Sequence, residues 1–309
     1  MSEGRVILAG GSGFLGRSLA QVLVRDGGEV IVLTRGSARE SGSVRFVRWD
    51  GKTVGDWRPL LENARAVVNL TGKSVNCRYT PAARAEILNS RIDSVRALGE
   101  AIAGCAQPPR VFVQAGSLAI YGNAGDRVCT EDSPHGSGFS AEVCQAWEGA
   151  FNGLPLPATR KVLLRIGFAL KRGEGALGTL ESITRFFLGG TIGHGRQYIS
   201  WIHIADLDRM FLSCLERDDL SGIFNATGPA PVTNGQFMAE LRRALHRPWS
   251  PPVPAALVRL GARAMGTEGD LALHGFRCLP QRYLEQGFRF DFTSLGTALA
   301  DLYGADNAH

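Results

Sequence analysis

The amino-acid sequence predicts an α/β protein in which a doubly wound, parallel sheet carries a small C-terminal lobe. Short apolar runs recur with helical patterns between them, an alternation typical of parallel strands with helices on both faces. The runs cover residues 6–8, 30–33, 46–49, 66–70, 111–113 and 162–166. From about Ala176 the composition changes to glycine-rich turns, a proline-rich stretch and a phenylalanine-rich ending. We therefore expect the smaller lobe to begin near that residue.

Composition and charge narrow the class of protein. The chain has 309 residues and a formal net charge of +5, and its basic residues are scattered rather than clustered. This pattern suits an anionic small molecule and disfavours nucleic acid. No apolar run approaches the roughly 18 residues of a membrane span, and no signal peptide precedes the first strand, so we expect a soluble cytoplasmic protein with no membrane partner. The six cysteines and the histidines show no metal-ligand spacing.

The stretch VILAGGSGFLGRS, residues 6–18, fits two phosphate-binding patterns. From Gly10 it reads G-x-x-G-x-x-G, the turn that places a dinucleotide pyrophosphate at a helix N-terminus. From Gly11 it resembles the P-loop of nucleoside triphosphatases, but Arg17 stands where that pattern needs Lys. The first helix ends near Gly27 and Gly28 and leads into a second strand, and this β-α-β unit favours the dinucleotide.

The end of the second strand indicates the cofactor. NAD-binding proteins of this type carry a carboxylate there, whereas Arg accommodates the 2′-phosphate of NADP. This chain has Thr34 and Arg35, so we predict NADP(H), with Arg17 as a possible second cation. The alternative is that Arg35 lies in a solvated loop.

Several further motifs resemble the extended short-chain dehydrogenase/reductases of the sugar-nucleotide epimerase type. They are NLTG at residues 69–72, GSLAIYG at 116–122 and WIHIAD at 201–206. The segments NSRIDSVRAL, GGTIGHGRQYISWIHIADL and the ending up to GFRFDF more narrowly resemble an uncharacterised epimerase-family branch with its own C-terminal module. The resemblance covers nearly the whole chain.

The resemblance implies a Rossmann-type domain over residues 1–175, with contributions from about 195–230, and a substrate lobe with the C-terminal module over 176–309. It implies an NADP(H) site made of the following residues: Gly10, Gly13, Phe14, Leu15, Gly16, Thr34, Arg35, Asn69, Leu70, Thr71, Gly72 and Arg91. It also implies an oxidoreductase-like or epimerase-like protein, either a monomer or a homodimer.

The chain departs from the family at the proton-transfer pair. Relatives use Tyr-x-x-x-Lys, whereas here Phe139 and Val143 stand at those positions, and neither side chain can move a proton. The remaining catalytic candidates are Ser117, which matches the family's active-site Ser, and Tyr121. Each has a structural alternative, a strand-end hydrogen bond for Ser117 and core packing for Tyr121. Cys144 lies beside the lost Lys position and is expected to be inert.

Other polar residues are candidates for a substrate site or for structural roles. A cation-rich segment could bind an anionic substrate or form a solvated face, and a glycine-rich loop could let a ligand approach the backbone. His203 is expected to be structural, and Asp206 to cap the next helix. The cation-rich segment contains Arg78, Tyr79, Arg84 and Arg91, and the glycine-rich loop contains His194, Arg196 and Gln197. Two functions stay open: an enzyme with a replaced acid, or a non-catalytic NADP(H)-binding sensor or regulatory protein.

Overall fold

An eight-stranded sheet forms the centre of the protein, in a computed structural model that describes residues 4–264 and 266–304. The strands are β1 (Arg5–Ala9), β2 (Glu29–Thr34), β3 (Arg39–Ser41), β4 (Val44–Arg48), β5 (Ala66–Asn69), β6 (Val111–Ser117), β7 (Val128–Cys129), β8 (Arg160–Ile166), β9 (Phe168–Leu170), β10 (Tyr198–Ile199), β11 (Trp201–His203), β12 (Gly222–Ala226), β13 (Val232–Thr233) and β14 (Arg277–Cys278). The helices are α1 (Phe14–Arg25), α2 (Pro81–Ala103), α3 (Phe139–Asn152), α4 (Gly175–Arg185), α5 (Ile204–Glu216), α6 (Asn234–Ala244), α7 (Ala255–Ala264), α8 (Asp270–Leu273), α9 (Gln281–Glu285) and α10 (Leu295–Tyr303).

The strand order of the large sheet is β12-β8-β6-β5-β1-β2-β4-β3. All neighbours pair in parallel except β3, which pairs antiparallel with β4 at the edge. The chain moves outward from β1 in one direction through β2 and in the other through β5. The carboxyl ends of β1 and β5 therefore border the topological switch point, where ligands bind in open α/β sheets.

Helices cover both faces of this sheet, as the apolar runs predict. One face packs against α1 and α5 through residues such as Leu19, Leu207 and Phe211. The other packs against α2 and α3 through Leu98 and Phe151. Burial of both faces explains why the central strands are continuous apolar runs rather than alternating ones.

The C-terminal part of the chain has a smaller core of its own. This core joins α4, α6 and α10 with Trp201, Phe237 and Leu299 at its centre. The chain also returns to the large sheet, because Tyr283 on α9 is fully buried against Phe224 of β12, with ring centroids 4.9 Å apart. The lobe and the sheet are thus joined at more than one point, while the boundary at residue 175 stays a prediction.

The fold class predicted from the sequence is confirmed. Each of the six apolar runs forms a strand, and α1 ends at Arg25 just before Gly27, which has a φ of +80°. Within the large sheet, the sequence did not predict β3, whose residues are all exposed, or β12; the short strands of the two-stranded sheets were not predicted either. Within the described residues no helix is long and apolar enough to cross a membrane.

Candidate cofactor and active site

The glycine turn joins β1 to α1 at the switch point, and the absence of a side chain has a different structural consequence at each of its glycines. Gly10 has a φ of +73°, and a Cβ there would lie 2.9 Å from the backbone of Thr71. A Cβ at Gly16 would lie 2.4 Å from Cα of Gly11, so the helix packs this closely only because residue 16 lacks a side chain. Gly13 is extended, and a Cβ there would meet only the carbonyl oxygen of Gly10, at 3.8 Å. The space beside Gly13 is therefore open.

The N-terminus of α1 faces that open space with its backbone donors. Gly13 is the N-cap and supplies no side-chain hydrogen bond to the helix. The first amide groups of a helix have no partners within the helix, and they carry a partial positive charge. The first turn, with Phe14, Leu15 and Gly16, thus offers N–H donors to an anion, and a diphosphate fits this arrangement.

The end of β2 lies next to the turn, because the amide of Gly10 donates to the carbonyl of Leu33 at 2.9 Å. The Thr34 hydroxyl lies 3.3 Å from the Ser12 hydroxyl. Arg35 is exposed, and among the described residues its side chain has no hydrogen-bond partner. Arg35 can therefore turn toward an anion beside the glycine turn without breaking an existing contact.

Arg17 is held differently from Arg35. Its guanidinium donates to the carbonyl of Ser12 at 2.9 Å and forms an ion pair with the Glu174 carboxylate. A charge already paired with a carboxylate attracts phosphate less strongly. The structure therefore favours Arg35 over Arg17 as the cation for a cofactor phosphate.

The polar step after β5 borders the other side of the glycine turn. Asn69 is fully buried; its Nδ2 donates to Oε1 of Gln114 at 2.9 Å, and its Oδ1 accepts from the amide of Thr71 at 3.0 Å. The amide of Leu70 donates to the carbonyl of Ala9, at the end of β1. These bonds fix the backbone of residues 69–71 at the switch point, and Asn69 itself acts through them rather than through an exposed group.

Arg91 on α2 supplies a half-buried cation beside this step. Its Nη1 donates to the carbonyls of Lys73 and Ile87, at 3.1 and 2.8 Å, and its Cζ lies 5.0 Å from the centre of the Trp147 ring. A Cβ at Gly72 would come within 3.2 Å of that Cζ, so the glycine permits the close packing. Burial lowers the pKa of the Arg91 guanidinium.

Ser117 and Tyr121 differ in their environment although they share one turn. Ser117 is half-buried at the end of β6, where its hydroxyl accepts from the amide of Ala119 at 3.2 Å. Tyr121 is 1% exposed, and its hydroxyl lies 2.8 Å from both the Thr130 carbonyl oxygen and Asn225 Oδ1. Burial raises the pKa of Tyr121 to about 12. A buried, fully bonded phenol does not serve as a proton donor to a ligand, so we propose a structural role for Tyr121.

A buried ion pair that the sequence analysis missed holds Tyr121 in place. Arg165 on β8 donates from Nη1 to the Tyr121 hydroxyl at 2.7 Å. It also binds Glu148 of α3 with two bonds, from Nε at 2.9 Å and from Nη2 at 2.8 Å. A charged residue within an otherwise apolar strand pattern is the signal that could have revealed this pair, since a buried charge needs a partner.

Phe139 and Val143 both lie on α3, one turn apart. Phe139 is half-buried, with its ring 4.9 Å from that of Tyr79, and the Arg84 guanidinium lies 4.5 Å from its centre. Val143 is buried. The next residue, Cys144, is buried as well, and burial raises the pKa of its thiol to about 12. Neither α3 position offers a titratable group, and Cys144 stays protonated at neutral pH.

The cation-rich segment meets the C-terminal part of the chain. Arg78 donates from Nη2 to the carbonyl of Arg263 at 3.0 Å, and the amide of Tyr79 donates to Glu268 Oε1 at 2.7 Å. Arg84 is exposed and packs over aromatic rings. Arg263 and Glu268 therefore lie against the segment that is a candidate for binding the substrate.

The histidine and glutamine candidates have structural contacts. His194 Nδ1 accepts from the amide of Arg196 at 3.0 Å, and Gln197 is buried with its Nε2 donating to two carbonyls. His203 is buried and caps α5, as its Nδ1 accepts from the amide of Ala205 at 3.2 Å.

Asp206 was expected to cap α5, and this prediction was wrong. The carboxylate accepts instead from the amides of Asp291 and Phe292, both at 3.0 Å, and lies 3.0 Å from the Arg209 guanidinium. It sits in the first turn of α5 while His203 occupies the N-cap. Asp206 therefore joins the backbone of Asp291 and Phe292 to α5. A local sequence pattern does not reveal such a long-range contact.

The described residues contain no group of three or more His, Cys, Asp or Glu side chains that could hold a metal ion. The six cysteines are free thiols. The geometry thus presents a helix N-terminus whose backbone N–H groups could hold an anion, with adjacent cations and a polar strand end.

Comparison with known proteins identifies this arrangement. Residues 6–142 match the NAD dependent epimerase/dehydratase family, and residues 253–302 match a domain of unknown function, DUF1731. The bovine epimerase family protein SDR39U1 is 36% identical over 304 residues, which cover 96% of this chain and 99% of the bovine protein. The Bacillus subtilis epimerase family protein YfhF is 34% identical, with 96% and 97% covered.

A crystal structure of human epimerase family protein SDR39U1 (isoform 2) with NADPH superimposes with a TM-score of 0.87 at 32% identity, covering 97% of this chain and 99% of the human one. The chain therefore belongs to the NAD-dependent epimerase/dehydratase family, the extended short-chain dehydrogenase/reductases. Within it, the chain belongs to the branch of epimerase family proteins that includes SDR39U1 and carries the DUF1731 module at its C-terminal end.

Proposed function

We propose that this protein binds NADP(H) at the glycine turn and is an oxidoreductase-like or epimerase-like member of its family without the usual Tyr-x-x-x-Lys pair. The observation that carries the proposal is the open N-terminus of α1 at Gly13 beside Arg35, whose guanidinium has no partner in the part of the chain that the structure describes. The first would bind the pyrophosphate through backbone N–H groups, and the second would bind the 2′-phosphate. The human relative was crystallised with NADPH, which supports the same cofactor here.

The residues at the switch point would hold the remaining parts of the cofactor. Asn69 holds the amide of Thr71 in the step from Leu70 to Gly72, along which the nicotinamide-side ribose would lie. Arg91 adds a cation beside this step, because a Cβ at Gly72 would come within 3.2 Å of its Cζ. The bound nicotinamide would supply hydride transfer, and the protein would supply position and a water-poor environment. The structural reason for each glycine of the turn matches its role in a dinucleotide site.

The P-loop alternative receives less support. A P-loop needs a flexible ammonium that reaches the β- and γ-phosphates. Arg17 occupies that position but is bound to Ser12 and Glu174. Cofactor binding is therefore expected to be independent of magnesium.

The proton-transfer step distinguishes an enzyme from a sensor. Phe139 and Val143 would stand where relatives carry the acid and its Lys, and Tyr121 is bonded inside the core. Ser117 remains as a hydroxyl that could contact a substrate carbonyl, but a serine without a base is a weak acid. These observations favour tight binding of NADPH with slow turnover, and they keep a non-catalytic sensor as the second candidate function.

The experiment is a fluorescence titration of NADPH and NADH into the natural protein and into Arg35→Ala. Loss of a charge-assisted hydrogen bond costs about 1.5–3 kcal/mol, so the variant should bind NADPH on the order of ten- to a hundredfold more weakly. NADH binding should stay nearly unchanged. Arg45→Ala, an exposed arginine on the neighbouring β4, is the matched control. Equal losses for both cofactors would refute the assignment of Arg35.

A further inference from the structure

The turn after α4 exposes apolar side chains that a soluble surface normally avoids. Phe186, Phe187 and Leu188 are 77%, 56% and 65% exposed, and Trp249 is 73% exposed. We call these four residues the apolar turn patch. Single exposed apolar residues are ordinary, but three consecutive ones beside an exposed tryptophan indicate an interaction surface.

The apolar turn patch is held in its exposed position by specific contacts. Ser250 donates from its hydroxyl to the carbonyl of Phe187 at 3.1 Å, which joins the Trp249 segment to the turn. The Arg247 guanidinium lies 5.0 Å from the centre of the Phe187 ring. Nη1 of Arg242 donates to the carbonyl of Gly189. These contacts therefore fix the conformation of the patch.

Helix α7, which follows Trp249 in the chain, also carries exposed apolar side chains. Leu257 and Leu260 are 56% and 65% exposed and lie three residues apart, on one side of the helix. The strand-like segment between Trp249 and α7 is bonded to the chain beyond the turn, since the amide of Val253 donates to the carbonyl of Thr191 at 2.8 Å.

Positive charge accompanies these apolar residues. The chain from residue 242 to 267 contains five arginines and neither aspartate nor glutamate, and Arg185 directly precedes the turn. Two of the five, Arg243 and Arg259, lie near the carboxylates of Glu240 and Asp270. Arg185 is likewise paired with Glu181, so the positive charge of the region comes from Arg242, Arg247 and Arg263, which form no ion pair among the described residues.

We propose that the apolar turn patch docks the protein onto the surface of an anionic lipid bilayer. Aromatic and leucine side chains would enter the headgroup boundary while the arginines meet the lipid phosphates, the pattern of a peripheral interfacial contact. A second copy of this chain fits less well, because a two-fold interface would bring the same arginines face to face. The expected absence of a membrane partner rested on the lack of a spanning run. A patch that enters only the interface needs no such run.

The tryptophan distribution provides a direct readout. Trp49, Trp57, Trp147 and Trp201 are each 7% exposed or less, so Trp249 alone faces solvent. Vesicles of phosphatidylglycerol, added at low ionic strength, should shift the tryptophan emission to shorter wavelength and sediment with the protein. Vesicles of phosphatidylcholine should do neither, and about 0.5 M salt should release the protein because the attraction is screened.

Variants separate insertion from charge and from self-association. Phe186→Ser with Leu188→Ser should weaken vesicle binding on the order of a hundredfold, whereas Leu284→Ser, a matched exposed leucine on α9, should not. Trp249→Phe should still sediment but lose the emission shift. No binding to phosphatidylglycerol at low ionic strength, or equal binding by the double variant, would overturn the proposal. A dimer that the double variant converts to a monomer would assign the patch to a second copy and overturn it as well.

Discussion

Gly13→Val tests whether the glycine turn binds a diphosphate. Gly13 has a φ of −72° and a ψ of 173°, an extended conformation that valine adopts readily. Its Cβ would approach protein only at the Gly10 carbonyl, 3.8 Å away. The free energy of unfolding should therefore change by less than about 1 kcal/mol. The same side chain would fill the space that a pyrophosphate needs in front of the helix.

The expected loss of affinity follows from the backbone donors. Each charge-assisted hydrogen bond contributes about 1.5–3 kcal/mol, so excluding the pyrophosphate from two N–H groups removes about 3–6 kcal/mol. This corresponds to a loss of about 10²–10⁴ in NADPH affinity, measured by the fluorescence of the bound nicotinamide. Thermal melting of the same sample checks the fold. Gly149→Ala is the control, because a Cβ added at Gly149 would meet no neighbouring atom within 4 Å. A Gly13→Val protein that melts normally and binds NADPH like the natural protein would refute the reasoning.

Three further outcomes follow from the described contacts. Turnover of carbonyl and sugar-nucleotide substrates with NADPH should be slow, and Ser117→Ala should change it little; a fast rate that collapses in this variant would show a rebuilt active site. Tyr121→Phe should lower the free energy of unfolding in urea by about 1–3 kcal/mol, because it leaves a buried donor of Arg165 unsatisfied, and an unchanged value would contradict that role. Burial raises the pKa of Asp208 to about 6, while the unfolded carboxyl titrates near 3.8, so this group should lower stability as pH rises through that window. Asp208→Asn should remove this slope in melts from pH 4 to pH 7, and an identical slope in both proteins would contradict the assignment.

The sequence predicted the central sheet because burial on both faces forces continuous apolar runs. It predicted the glycine turn because a Cβ at Gly10 or at Gly16 would clash with neighbouring backbone, while Gly13 leaves the space in front of the helix open. It could not show β3, since Arg39 to Ser41 are polar and exposed and form a strand only by pairing with β4. Local patterns carry no information on such an edge.

The candidate site was predictable where it depends on adjacent residues and not where it depends on distant ones. Thr34 and Arg35 follow directly from the end of a strand. The pair of Arg165 with Glu148 joins β8 to α3, and Asp206 reaches amides 85 and 86 residues further along the chain. Tyr121 follows Ser117 by four residues, which suggested a catalytic role. Its hydroxyl is instead buried by contacts with Thr130, Asn225 and Arg165. Such contacts arise only when the chain has folded.

The most direct test of the central claim is a calorimetric titration of the natural protein with NADPH, NADH and ATP in parallel, with and without magnesium. The open terminus of α1 and the exposed guanidinium of Arg35 predict that NADPH binds about ten- to a hundredfold more tightly than NADH and that magnesium changes neither affinity. ATP should bind weakly at most and should not be hydrolysed. Equal affinities for the two dinucleotides, or ATP hydrolysis that requires magnesium, would contradict the assignment of this site to NADP(H).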